Sequence, residues 1–225
     1  MLQVKNTANN LGIKITGDGA DFEEILHAIH HVIGPTGKRP CMAAAHTRVI
    51  KFCDDMQAAI ANENFSFHAL WPEAVFIAGA LSGFIKFESE DLSKKSFIYD
   101  IISSPKVIFD EQIIKIRLLQ SKIIHELERM VSKQSFSRIL NIYGSWQTYF
   151  VDYTVQFLDI VNGEYINLPK EKRLQKLSAI TQNILNRSGQ YPETEQKVLR
   201  LAKQNSCPPA EIILDQIKYP DKLVW

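Results

Sequence analysis

Three histidines, His27, His30 and His31, crowd one short stretch of the chain, and Glu24 stands one turn before the first of them. If the stretch is helical, at about 100° per residue, Glu24, His27 and His31 fall on one side. An i, i+4 histidine pair can reach a single metal ion, and a carboxylate one turn away can add an oxygen ligand. Glu24, His27 and His31 are therefore the candidate metal ligands. His46, His68 and His125 are further ligands by residue type alone. The pattern is not H-E-x-x-H, because no glutamate lies between the paired histidines, so the general base of a metalloprotease is missing. The competing reading is a solvated helix face that happens to be rich in histidine.

Other chemistry finds less support. Gly17-Asp18-Gly19-Ala20-Asp21 lies between a strand pattern and a helix pattern. Its two aspartates repel anions, and no Gly-Lys-Ser/Thr follows, so it is not a phosphate loop. Gly17 and Gly19 read instead as turn residues that need unusual dihedrals. Cys41, Cys53 and Cys207 have no C-x-x-C spacing; Lys38 and Arg39 stand near Cys41, but no nucleophile signature surrounds it and His46, five residues on, is a poor helical match. There is no G-x-S-x-G. The acidic pairs Glu23/Glu24, Asp54/Asp55 and Glu126/Glu128 diverge on a helix. Catalytic residues thus stay unassigned, and no cofactor is implied.

The elements that hold these residues follow from periodicity. Leu2 to Lys5 and Gly12 to Thr16 alternate apolar and polar, and an Asn-rich loop joins them, which predicts an antiparallel hairpin. Asp21 to Ile33 has helical spacing, with Asp21 as cap, Glu24 as its capping-box partner and Gly34-Pro35 as the stop. Met42 to Asn62 is a second helix and Asn64 to Leu70 a third strand. Trp71 to Glu88, apolar nearly all round, is the central helix. Phe97 to Ile102 suits a strand or a short helix. Long helices follow at 110–133 and 136–161, with Gly144 a soft point and Asn162-Gly163 a turn. Pro169, Pro192 and Pro208-Pro209 start three more, ending near Arg187, Asn205 and Ile217. The fold class is α+β: a predominantly helical bundle with a small antiparallel N-terminal sheet. Residues 1–225 form one domain, with a weak seam near 89–105.

Composition bounds the function. Hydrophobic residues make up 45% and charged residues 23%, which is ordinary for a globular protein. Net charge is +1, so no whole-domain attraction to nucleic acid is indicated. Glu193 to Ile217 could mimic a helix-turn-helix, but its second helix offers Glu211 and Asp215 rather than base-reading side chains. The longest apolar run, Ala74 to Ile85, is too short for a membrane span. Few, unpaired cysteines suit a reducing compartment, and the expected location is the cytoplasm. The stripe Phe136, Ile139, Leu140, Tyr143, Trp146, Tyr149, Phe150, Tyr153 and Phe157 is core packing, or in part a surface for a protein partner or a second copy.

Several blocks are similar to a bacterial family known only as a domain of unknown function. They are Val4-Lys5-Asn6-Thr7, Gly12, Gly17-Asp18, Asp21-Phe22 and Gly34. Leu70-Trp71-Pro72-Glu73, Ala80-Leu81, Phe84-Ile85, Lys170 to Leu174, Tyr219-Pro220 and Trp225 fit as well. The resemblance covers most of the chain and implies a bacterial, soluble, stand-alone protein. It carries no activity, substrate or site. The functional expectation is a cytoplasmic binding or interaction protein. The alternatives are an enzyme whose site is assembled from residues distant in sequence, or a metal or small-ligand sensor built on the first helix.

Overall fold

In the computed structural model, which describes residues 1–95, 105–145, 153–214, 219–220 and 223–225, the chain begins with a hairpin. Strand β1 (Gln3–Asn6) pairs antiparallel with β2 (Gly12–Thr16), and β2 pairs antiparallel with β3 (Ser66–Leu70), in the order β1-β2-β3. Val4 sits opposite Ile15, and Ile15 opposite Phe67. The inward residues Val4, Ile13, Ile15, Phe67 and Ala69 are all buried, so the period-2 pattern fixes which face meets the helices. Gly12 is obligatory here, since a Cβ at this position would lie 2.0 Å from the Ala69 carbonyl oxygen.

Eight α-helices occur among the described residues. They are α1 (Gly19–Ile33), α2 (Ala43–Ala61), α3 (Trp71–Lys95), α4 (Pro105–Met130), α5 (Lys133–Ser145), α6 (Tyr153–Asn167), α7 (Lys170–Asn186) and α8 (Tyr191–Asn205). Helix α3 is the hub and packs against α1, α2, α4, α6 and α7. Its residues Trp71, Val75, Phe76, Ile77, Leu81 and Phe84 are all fully buried. Each such side chain contributes about 1.5–3 kcal/mol on leaving water. Trp71 also donates its indole N–H to Asn6 Oδ1 at 2.8 Å, which ties the hub to β1. The expected mostly helical α+β architecture, with its small antiparallel N-terminal sheet, is the one found.

Several details differ: α3 runs on to Lys95, α4 starts at Pro105, and the span read as one helix over 136–161 carries α5, which ends at Ser145, and α6, which runs to Asn167. Helix α1 starts one turn earlier than the Asp21 cap predicts. Asp18 is the cap and accepts from the Asp21 amide at 2.8 Å, while the Asp21 carboxylate accepts from the Asp18 amide at 3.1 Å. Glu24 has no part in this box, because Phe22 must already be helical to reach the core. Gly17 and Gly19 do not adopt left-handed dihedrals. They are tight instead, since a Cβ at either would lie 3.3 Å from a ring, Phe22 and Phe65 respectively. Asn162-Gly163 is no turn but lies inside α6, where Phe157, Leu158, Val161 and Tyr165 form a buried helical row that overrides the local Asn-Gly preference. After Pro208 the chain makes only a 3₁₀ turn, Pro209–Glu211, and residues 212–214 are extended coil.

Of the aromatic stripe, Phe136, Ile139 and Phe157 are core, Tyr143 is half-buried and Leu140 is exposed. Trp146, Tyr149 and Phe150 lie outside the described residues, as does the segment Phe97 to Ile102. No helix among the described residues is long and apolar enough to cross a membrane.

Candidate functional site

The predicted ligands on α1 do lie on its outer side. Glu24, His27, His30 and His31 are exposed, and the rings of His27 and His31 are 6.3 Å apart. Two neighbours from α4 reach this face. His27 Nδ1 is 3.4 Å from Gln112 Oε1, and Lys115 Nζ is 3.9 Å from Glu24 Oε2, so a cation already stands beside the candidate oxygen ligand. Among the described residues, no three of His, Cys, Asp and Glu are placed to hold a metal ion. His46 is buried, bonds the Gly34 carbonyl at 3.0 Å and meets the Phe84 ring edge-on. His125 pairs with Ser121 at 3.1 Å.

Polar side chains converge elsewhere. A cleft of about 450 Å³ lies between α2, β3, α3, α6 and the C-terminal segment. Helix α2 contributes Arg48, Lys51, Phe52 and Asp55 to its walls; α3 contributes Glu73, and α6 contributes Asp159 and Asn162. β3 adds His68 and Leu70, and Tyr219, Leu223 and Trp225 close one side. The α2 residues share a wall because 48, 51, 52 and 55 follow the i, i+3, i+4 row that flanks the buried Phe52.

At its base, Arg48 forks onto Glu73. Nε donates to Oε1 at 2.8 Å and Nη2 to Oε2 at 3.1 Å, while Nη2 also donates to Asp159 Oδ1 at 2.5 Å. The Asn162 amide donates to Glu73 Oε2 at 2.9 Å. The side chains of Arg48, Glu73 and Asp159 are only 15%, 18% and 31% exposed. Burial works against the charge on Arg48, but the two carboxylates outweigh it and hold the guanidinium more firmly protonated than usual. Asp159 is pushed up, first by burial and then by the neighbouring charge of Glu73, against a pull from Arg48, which spends its fork on Glu73. Truncating Arg48 would strand both acids, at a cost of about 3 kcal/mol or more.

Nearer the mouth, Asp55 is also pushed up. Burial leads, with Asp54 and Glu73 adding to it and Lys51 opposing it. His68 is pushed down by burial and then by Lys14, so its imidazole is neutral near pH 7. Its ring stacks on Trp225 with centroids 4.9 Å apart. The Trp225 and Val224 carbonyls are held by the Asn9 amide at 3.2 and 3.3 Å, so the C-terminal segment is anchored to the β1–β2 loop. The site thus offers a fixed ion-pair base, carboxylates that take up protons more readily than usual, a neutral imidazole and an apolar wall of Phe52, Leu70, Leu223 and Trp225. Such a set can bind and orient a small polar molecule and exchange protons with it.

Sequence reasoning missed this grouping. In sequence, Asp55 reads as one of two adjacent acids that diverge on a helix, Glu73 falls within the apolar central helix, and His68 is a ligand by type only. The available signal was the row of charges around Phe52 on α2. Over residues 2–64 and 60–225 the chain matches the model of a family described as a domain of unknown function, DUF6904, and it belongs to that family. The expected membership of a family without an assigned activity is therefore met. No curated protein and no solved structure matches the chain.

Proposed function

We propose that this is a cytoplasmic small-molecule-binding protein whose site is the cleft between α2, β3, α3, α6 and the C-terminal segment. One observation carries the reading. Charged and polar side chains from four separate elements line a single cavity whose volume suits a metabolite-sized ligand. A buried ion-pair base is weak support for stability as such, because a well-packed apolar core does as well. It fits a site that must present fixed charge. The cytoplasmic location is supported by three free cysteines, one of them, Cys41, exposed.

Ligand-observed NMR on the full chain with a library of neutral, cationic and anionic fragments tests the reading. Binders are expected, and Asp55→Trp, which fills the mouth from an exposed position on α2, should abolish their signals. No binders, or binders indifferent to that substitution, would overturn it.

A second reading, a face for a protein partner or a second copy, is favoured by Ile114 and Leu118. They lie one turn apart on α4 and are 69% and 48% exposed. Light scattering of the wild type and Ile114→Lys checks it: a monomer at all concentrations that recovers no partner on co-purification counts against this face.

A further inference from the structure

The polar groups of the cleft divide into those already satisfied and those left over. Arg48 gives Nε and Nη2 to Glu73 and Asp159, and both Glu73 oxygens are occupied by Arg48 and Asn162. Two acceptors remain. Asn162 is 1% exposed, its amide group lies against Glu73 and the Tyr219 hydroxyl, and its oxygen Oδ1 has no hydrogen-bond partner among the described residues. A buried amide oxygen without a donor is uncommon and costs about 1–3 kcal/mol, so it points to a donor supplied from outside the chain. The second is the exposed Asp55 carboxylate, which lines the cleft and has no hydrogen-bond or ion-pair partner among the described residues.

Charge points the same way. Among the described lining residues, three carboxylates, Asp55, Glu73 and Asp159, stand against two cations, Arg48 and Lys51, a balance of −1. Burial is the first cause of the upward displacement of both Asp55 and Asp159, with Glu73 adding to it at each and the neighbouring cations opposing it. A metal ion does not suit the surplus, since no three ligands of the right type come together among the described residues. The cavity volume suits a larger, organic cation, and the Trp225 indole, stacked on His68 by one face, lines the same cleft.

We infer that the cleft takes an organic cation, an ammonium or amidinium group whose N–H donors meet Asn162 Oδ1 and the Asp55 carboxylate; this rests on the cleft being a ligand site, as proposed above. The group brings the donors that Asn162 and Asp55 lack and cancels the net charge. Lys51, one turn from Asp55 on α2, opposes the cation and sets an upper limit on affinity.

Calorimetric titration of the full chain with benzamidinium, benzamide and benzoate near neutral pH tests the inference. Benzamidinium should bind, and the neutral and anionic isosteres should not. Asp55→Asn should weaken benzamidinium about tenfold, as loss of a charged hydrogen bond does. Lys51→Met, at an exposed position, should tighten it several-fold, an effect that a merely structural role for Lys51 would not produce. Equal binding of benzamide or benzoate, or benzamidinium binding unchanged by Asp55→Asn, overturns the inference. If none of the three binds while fragment binders remain sensitive to Asp55→Trp, the cation assignment falls and the cleft reading stands. If fragments also fail, both fall.

Discussion

His68 on the third strand and Trp225 at the far end of the sequence lie ring against ring, 4.9 Å between centroids and 14° from parallel. This contact joins the sheet to the C-terminal segment and shields one side of the imidazole. Burial is the first cause of the depressed His68 pKa, ahead of Lys14. Trp225→Ala should therefore return the His68 pKa upward toward the ordinary 6.5, as followed by an NMR titration of the imidazole protons. A pKa that stays put would show that Lys14, not the indole, sets it.

Asp55 gives a pH signature in stability. Its pKa is higher in the folded protein than the ordinary 3.8. The folded state therefore holds the proton more tightly, and the group favours folding below about pH 4 and disfavours it as pH rises through its folded pKa. Asp55→Asn should raise the melting temperature slightly at pH 7, and the gain should vanish near pH 3.5. A gain that is larger in acid would reverse the sign and refute the shift.

The capping box can be read out directly. Asp18→Ala removes an acceptor from the Asp21 amide and should lower the midpoint of denaturant unfolding. Glu24→Ala, outside the box and 63% exposed in its side chain, should change stability by less than about 0.5 kcal/mol. Equal losses would restore Asp21 and Glu24 as the cap.

Thiol chemistry separates two cysteines. The Cys53 thiol is buried and pushed up to about 12, by desolvation first and by Asp54 second. Cys41 is exposed. Native protein treated with a disulfide reagent should label at Cys41 rapidly and at Cys53 only after unfolding, as peptide mass mapping would reveal. Early labelling of Cys53 would mean that α2 opens readily.

Much of the architecture is legible in residue order. The hairpin, the third strand and the buried central helix all announce themselves by period, because each buries one face or nearly all of itself. Where reading failed, a tertiary contact had overruled a local preference. Asn162-Gly163 has turn chemistry, yet the row from Phe157 to Tyr165 draws it into α6. The cleft was illegible for a related reason. Arg48 and Asp159 sit on helices where a charge ordinarily marks the solvated side, and Glu73 stands in the first turn of the apolar central helix. Only the folding of α2, α3 and α6 against one another turns three surface charges into one buried base. The histidines of α1 are close in sequence, and among the described residues no third ligand from elsewhere is placed beside them.

The clasp between Asn9 and the carbonyls of Val224 and Trp225 has a consequence for how the protein comes into being. A ribosome releases the chain from its N-terminal end, so Arg48 and Glu73 emerge while Asp159 and Trp225 are still unmade. The nascent chain can assemble its hairpin and central helix early, but one wall of the cleft arrives only with Tyr219, Leu223 and Trp225. A translation product stopped short of Trp225 would keep most of the core and lack that wall, so the cleft is complete only once Trp225 has been made.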